Sequence, residues 1–275
     1  MLGQLDYFML YIETIYTYTG TTSMQAQDYL LIEEHDKYIT LTLNRPESFN
    51  ALSEEMMFAM QHALHDIAER DDLSCVVIKA NGRAFCAGHD LKQMRANVND
   101  KYYQKLFSQC SKMMQSIINL PIPVIAEVQG VATAAGCQLA ATCDLVVASE
   151  KARFAVSGIN LGLFCSTPAV ALSRAIGPKH AMEMLLTGEF ISATDAKEKG
   201  LVNRIAAPED LAATTQQLVD TICGKLPVAL KTGKAMFYEQ LGQTVPSAYE
   251  TACEYMVNNL MDDDTQAGIA AFVDK

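Results

Sequence analysis

The sequence predicts an α/β protein built on a mostly parallel sheet and closed by a helical C-terminal layer. Three observations predict it. Strand-like apolar runs alternate with amphipathic helical stretches from Tyr38 to Ser149, the strand signal stops beyond Ile205, and half of the 275 residues are hydrophobic, enough for one large core. Strands that run parallel need crossovers, and right-handed βαβ crossovers place the helices outside the sheet.

The elements follow in order. Residues 28–34 and Tyr38–Leu43 carry β-branched and alternating positions on either side of the polar turn His35-Asp36-Lys37, which predicts a hairpin. Asn44-Arg45-Pro46 breaks it. Ser53 then offers an N-cap, with Glu54 and Glu55 in the first turn, to an amphipathic helix over residues 54 to about 70. CVVIKA, Cys75–Ala80, reads as the next strand. A helix over Asp100–Asn119, a strand over residues 123–130, a short helix around Ala135–Thr142 and a strand over residues 144–149 continue the alternation. Residues 208–225, 227–241, 247–261 and 264–273 then read as successive amphipathic helices joined at prolines, glycines or acidic residues. With no low-complexity linker, the organisation is a core over residues 25–206 and a helical region over 207–275 that packs on itself or on a neighbouring subunit. Residues 1–24 form an extension, with Met24 as an alternative start of translation or the stretch as a packed β-rich arm.

Composition narrows the function classes. A formal charge of −11, without a lysine-rich stripe, argues against a nucleic-acid partner or an anionic membrane, so any bound phosphate must be met locally. The 8 cysteines show no paired C-x-x-C spacing and lie mostly in apolar runs, which predicts buried free thiols and no metal site. No run approaches the roughly 18 to 20 apolar residues of a membrane-spanning helix. The segment before Met24 holds Asp6 and Glu13 but no Lys or Arg, so it lacks the basic face of a transit peptide and the basic start of a signal peptide, and the expected location is cytoplasmic.

Two segments combine small residues in a way that packing alone does not require. AFCAGHDLKQM, residues 84–94, directly follows a strand region; VQGVATAAGCQLAATCD, residues 128–144, is a strand that turns into a helix through small residues. Small side chains let a ligand approach the backbone, and a helix beginning there aims N–H groups and the positive end of its dipole at a ligand oxygen. Such an arrangement is an oxyanion hole. Taken singly, each segment is equally a tight turn or a close contact between helix and sheet.

Together with LNRPESFNALS (residues 43–53), INLGL (159–163) and TGEFISATDAKEKGLVNRI (187–205), these segments resemble the enoyl-CoA hydratase, or crotonase, superfamily. The likeness runs from about Tyr29 to Lys275 in order and at the family's spacing, and the INLGLFCSTPAVAL stretch, residues 159–172, is similar to one branch of it. The resemblance implies a crotonase (ClpP-like) fold of repeated ββα units in two sheets, with C-terminal helices assisting a homotrimer or a dimer of trimers. It implies a coenzyme A thioester as substrate or ligand and no permanently bound cofactor. Carried over by position, the oxyanion-hole N–H groups belong to His89 and Ala135, the latter standing where the family usually has glycine. Ala87, Asp90 and Leu91 would line the pantetheine and adenine, and Lys92 would either meet a phosphate or remain a solvated surface lysine. Phe49 stands where relatives often carry a basic residue, which weakens phosphate binding.

Hydratases of this family use two glutamates, one for the water and one for the proton at the α carbon. At those positions the resemblance places Gln138, which hydrogen-bonds a water but accepts no proton near neutral pH, and Gly158. Ordinary hydration is therefore expected to be absent or very weak, and altered acyl-CoA chemistry or non-catalytic acyl-CoA binding replaces it. Among substitutes, His89 titrates nearest neutrality, but its ring is expected to face solvent or the coenzyme. Cys165 is read as a small buried thiol and Asp144 as a structural residue.

Overall fold

The computed structural model describes residues 29–274, so the extension and the start of the first predicted strand lie outside the described residues. The hairpin is present: β1, Leu30–Glu34, pairs antiparallel with β2, Tyr38–Leu43. Helix α1, Glu54–Ala68, begins as read, because the Ser53 hydroxyl accepts from Met56 N at 3.2 Å. It leads into β3, Cys75–Ala80.

From β3 onward the chain repeats one unit, a long strand, a short strand and a helix. β3 is followed by β4, Ala84–Cys86, then α2, Leu91–Ala96, and α3, Asp100–Asn119. β5, Val124–Val128, is followed by β6, Val131–Thr133, and α4, Ala135–Thr142. β7, Leu145–Ser149, is followed by β8, Arg153–Ala155, a 3-10 turn at Ser157–Leu161, α5, Ser166–Ala175, and α6, Pro178–Thr187. β9, Ile191–Ser192, α7, Ala193–Glu198, and β10, Arg204–Ala206, complete this part. The long strands form a six-stranded sheet in the order β1-β2-β3-β5-β7-β10, parallel except for the first pair, and the short ones a four-stranded sheet in the order β4-β6-β8-β9.

The central strands read as continuous apolar runs because both of their faces are covered. Val76, Ile78, Val124, Ala126, Val146 and Ala148 face the main core with α1 and α3, whereas the alternate residues Cys75, Val77, Ile125 and Val147 face α8, Leu211–Cys223, through Leu218, Val219 and Ile222. The first helix of the C-terminal stretch therefore closes the back of the large sheet. Beyond it α9, Pro227–Gln240, buries Lys234, and α10, Val245–Leu260, and α11, Asp263–Val273, bury no residue of their own.

Candidate functional site

The site forms where the second sheet hands the chain over to helices. The loop after β2 is fixed first. Asn50, wholly buried in a left-handed conformation (φ 54°), donates from Nδ2 to the carbonyls of Asn81 and Ala84, each at 2.8 Å, and its Oδ1 accepts from Arg45 N at 2.8 Å. The loop then runs beside the segment after β4: Leu52 N donates to Gly88 O at 2.7 Å and Asp90 N to Leu52 O at 3.3 Å, a parallel bridge between Leu52 and His89. Successive amides of an extended chain point to opposite sides. The bridge therefore uses the amides flanking His89 and directs the His89 N–H away from Leu52.

The second amide starts α4. Ala135 is the first helical residue, where the helix itself offers the N–H no acceptor. Ala134 before it has φ 51° and ψ −122°, and no side chain caps this end. A non-glycine residue in that region carries strain of about 1–3 kcal/mol, which persists only where the surroundings impose it. They do so here: Ala134 N donates to Ala155 O at 3.0 Å, and Gly88, itself at φ 94°, passes so close that a Cβ on it would lie 2.9 Å from the Ala134 Cβ and 3.3 Å from Ala135 N. One residue on, a Cβ on Gly136 would collide with Cys86 O, so only glycine lets the helix seat against β4. The two small-residue segments singled out in the sequence thus lie against each other.

Gln138 lies on α4 one turn beyond Ala135. It is 4% exposed and its Oε1 has no hydrogen-bond partner. Gly158 lies in the 3-10 turn, which Ser157 ties to the end of β6 through a 2.8 Å contact with the Thr133 hydroxyl. A Cβ at Gly158 would meet Leu163 O at 2.7 Å and Cys165 Sγ at 2.8 Å, so the space a longer side chain would need is already filled. The Cys165 thiol is buried, donates to Val156 O at 3.5 Å, and is pushed up from its ordinary pKa by that burial. Burial also pushes the thiols of Cys86 and Cys137 up to about 12. None of these three is an ionised nucleophile near neutral pH.

The His89 ring was expected to face solvent or the coenzyme. It does not face solvent: both ring nitrogens are buried and neither has a hydrogen-bond partner, while the ring stands edge-on to Phe107 of α3 at 5.4 Å between centroids. Burial holds its pKa below the usual range, partly offset by the Leu52 carbonyl, which lies near the ring without meeting hydrogen-bond geometry.

The residues assigned to coenzyme A divide. The Asp90 carboxylate caps α2 through the amides of Lys92 (3.0 Å) and Gln93 (3.3 Å) and pairs with Arg45 Nη1 at 3.2 Å, so its oxygens are already engaged. Ala87 N donates to Phe49 O at 3.0 Å, and Leu91 and Lys92 are exposed. Sequence reasoning missed Arg83, whose guanidinium lies 4.5 Å above the Phe49 ring. The positions are 34 apart in sequence, and no local pattern signals their meeting. Among the described residues no group of three His, Cys, Asp or Glu side chains gathers to hold a metal ion, and no helix is long and apolar enough to cross a membrane.

Comparison with known proteins agrees with this architecture. The enoyl-CoA hydratase/isomerase family model matches residues 33–275. The chain is 45% identical over 236 residues to "Enoyl-CoA hydratase domain-containing protein 3, mitochondrial" of Homo sapiens, spanning 86% of this chain and 78% of the relative. The similarly named Xenopus laevis protein is 41% identical over 256 residues, 93% of this chain and 87% of the relative. Among solved structures, an enoyl-CoA hydratase of Mycobacterium smegmatis aligns with TM-score 0.88 at 53% identity, covering 90% of this chain and 96% of that one. The human domain-containing protein 3 aligns with TM-score 0.87 at 42% identity, covering 90% and 97%. These relatives correct the expected cytoplasmic location: those from Xenopus laevis, mouse, human and zebrafish are all named mitochondrial, which points to mitochondria. The expectation rested only on the lack of basic residues before Met24, and that short stretch does not decide the address. The repeated strand-strand-helix unit, the family match across residues 33–275 and the close structural neighbours agree, and the chain belongs to the enoyl-CoA hydratase/isomerase family.

Proposed function

We propose that the chain binds an acyl-CoA thioester, with the thioester carbonyl oxygen held between the amides of His89 and Ala135. The observation that carries this reading is the close approach of Gly88 to Ala135 N, with Ala134 held in a strained conformation to present it. Two amides aimed at one oxygen stabilise an enolate or a tetrahedral oxyanion by a few kcal/mol. The exposed Leu91 and Lys92, with Arg83 over Phe49, supply apolar and cationic contacts at the surface for the coenzyme. The apolar surface of α10 and α11, with Val245, Tyr249, Met256 and Phe272 exposed, supports assembly into a homotrimer or a dimer of trimers.

Chemistry beyond binding requires a proton carrier, and the two positions that hold acids in hydratases of this family hold Gln138 and Gly158. An amide does not accept a proton near neutral pH, and at Gly158 the Leu163 carbonyl and the Cys165 thiol occupy the space. We therefore infer that the protein does not run ordinary enoyl-CoA hydration and acts on an acyl-CoA by another step. The second reading, a non-catalytic acyl-CoA binder, draws on the same un-ionised thiols and missing acids. Crotonyl-CoA hydration is expected to be absent or very weak. Hydration at the rate of a metabolic enzyme, abolished by Gln138→Ala, would overturn this. Mass spectrometry across an acyl-CoA panel separates the two readings, since any pocket-dependent product identifies an enzyme.

A further inference from the structure

The loop between β2 and α1 is tied to the segment after β4 on both sides of His89, and one side chain makes the second tie. On the near side Leu52 N donates to Gly88 O at 2.7 Å. That carbonyl and the His89 N–H belong to one trans peptide unit and point in opposite directions, so the bond that holds the carbonyl aims the amide. Gly88 itself, a glycine at φ 94°, adds little restraint of its own. On the far side the main-chain bond is long, Asp90 N to Leu52 O at 3.3 Å, and a side chain reinforces it: Arg45 Nη1 donates to Asp90 Oδ2 at 3.2 Å.

Arg45 is held where it can reach that carboxylate. Its carbonyl accepts from Ser48 N at 3.0 Å and Asn50 N at 2.9 Å, and its own N–H donates to Asn50 Oδ1 at 2.8 Å, so the loop curls around it. The guanidinium lies 5.3 Å from the centroid of the Tyr29 ring and donates through Nη2 to Ser48 Oγ at 3.3 Å. The Arg45 and Asp90 side chains are 15% and 11% exposed, which spares the pair much of the screening that weakens surface ion pairs. The loop needs such a tie, because Phe49 and Asn50 are consecutive non-glycine residues at φ 52° and 54°, a conformation that local preference does not hold. The other Asp90 oxygen accepts from the amides of Lys92 and Gln93, so α2 keeps its cap without Arg45. We infer that Arg45 is a positioning residue: through Asp90 it fixes the segment after β4 so that the His89 amide faces the oxygen that the Ala135 amide also faces. The inference rests on the acyl-CoA reading above and adds a side chain to a grip made of main-chain groups.

The test is infrared difference spectroscopy of butyryl-CoA, isotope-labelled at the thioester carbonyl carbon, bound to the full chain and to Arg45→Met, Arg45→Lys and Asp90→Asn. Calorimetric affinities for butyryl-CoA and for coenzyme A accompany it. Two amide donors on one carbonyl oxygen polarise it, so the labelled band should move to lower wavenumber when the native chain binds. In Arg45→Met that shift should shrink by about half or more, and the preference for butyryl-CoA over coenzyme A should drop about threefold to tenfold. Arg45→Lys restores a cation beside Asp90 and should recover most of both. Asp90→Asn keeps an oxygen for the α2 cap and loses the charge; it should match Arg45→Met and replaces it if that variant does not fold. A fastener of structural value alone would lower the denaturant midpoint and leave the bound band where the native chain puts it. That result overturns the inference and leaves the acyl-CoA reading standing, and an equal loss of affinity for butyryl-CoA and coenzyme A has the same meaning. If the native chain binds butyryl-CoA no better than coenzyme A, or the labelled band does not move, the earlier reading falls and this one with it.

Discussion

The two ends of α4 treat buried polar groups in opposite ways. Just past its C-terminal end, Asp144 accepts from Lys234 Nζ and Val124 N through Oδ2, both at 2.7 Å, and from the Tyr238 hydroxyl through Oδ1 at 2.8 Å. Lys234, 9% exposed, also donates to the carbonyls of Ile117 (2.9 Å) and Ile122 (3.0 Å), so all three of its protons are used. At the N-terminal end, Gln138 Oε1 and both nitrogens of His89 have no partner. The same eight-residue helix therefore spans a fully satisfied network and an unsatisfied one.

The largest expected effect breaks the satisfied end. Burial lowers the pKa of Lys234, and the Asp144 carboxylate opposes that shift, so ammonium and carboxylate depend on each other. Lys234→Met leaves the Asp144 charge buried with fewer partners and should destabilise the fold by about 3–5 kcal/mol, read from denaturant midpoints. It should also loosen α9 from the core, since Lys234 and Tyr238 are its polar anchors. A loss below about 1 kcal/mol would show that the network is ornamental.

The unsatisfied end should answer with the opposite sign. Gln138→Met keeps the length of the side chain and removes an orphaned acceptor, so it should stabilise the unliganded protein by about 1 kcal/mol or more. A destabilisation of similar size would mean that Gln138 holds a structural partner, and the contrast between the helix ends would disappear.

Sequence reasoning reached the large sheet and stopped at the small one for a physical reason. Cys75–Ala80 and Val124–Val128 are long enough to show apolar runs, and their burial on both faces makes them uniform. The strands of the second sheet, from Ala84–Cys86 to Ile191–Ser192, have two or three residues, fewer than a period-two pattern needs. The resemblance implied two sheets, and periodicity could not have. At the site, the small residues before Ala135 and after Cys86 were legible because close backbone approach demands them. The inward turn of the His89 ring was not, because Phe107 is brought against it by α3 from another part of the chain. The pairing of Asp144 with Lys234 spans 90 residues and leaves no local trace.

The smallest effect sharpens the comparison through protons. Burial depresses the His89 pKa below its ordinary value near 6.5, so as pH falls through that value the unfolded chain takes up a proton that the native chain refuses. Stability attributable to this residue is thus intact above about pH 6.5 and declines below it, by at most about 1.4 kcal/mol per pH unit. Urea unfolding of the native chain and of His89→Phe at pH 7.5 and 5.5 measures it: the difference between the two chains should shift by up to about 1.4 kcal/mol against the native protein at the lower pH. Asp72 and Asp195, whose carboxylates are held below their usual range by hydrogen bonds from Arg70 and Ser192, titrate alike in both chains and cancel. Asp90, the carboxylate next to His89 in sequence, remains paired with Arg45 in both. A difference independent of pH would mean that the ring is either solvated or hydrogen-bonded in the unliganded protein, and the contrast between the two ends of α4 would narrow to Gln138 alone.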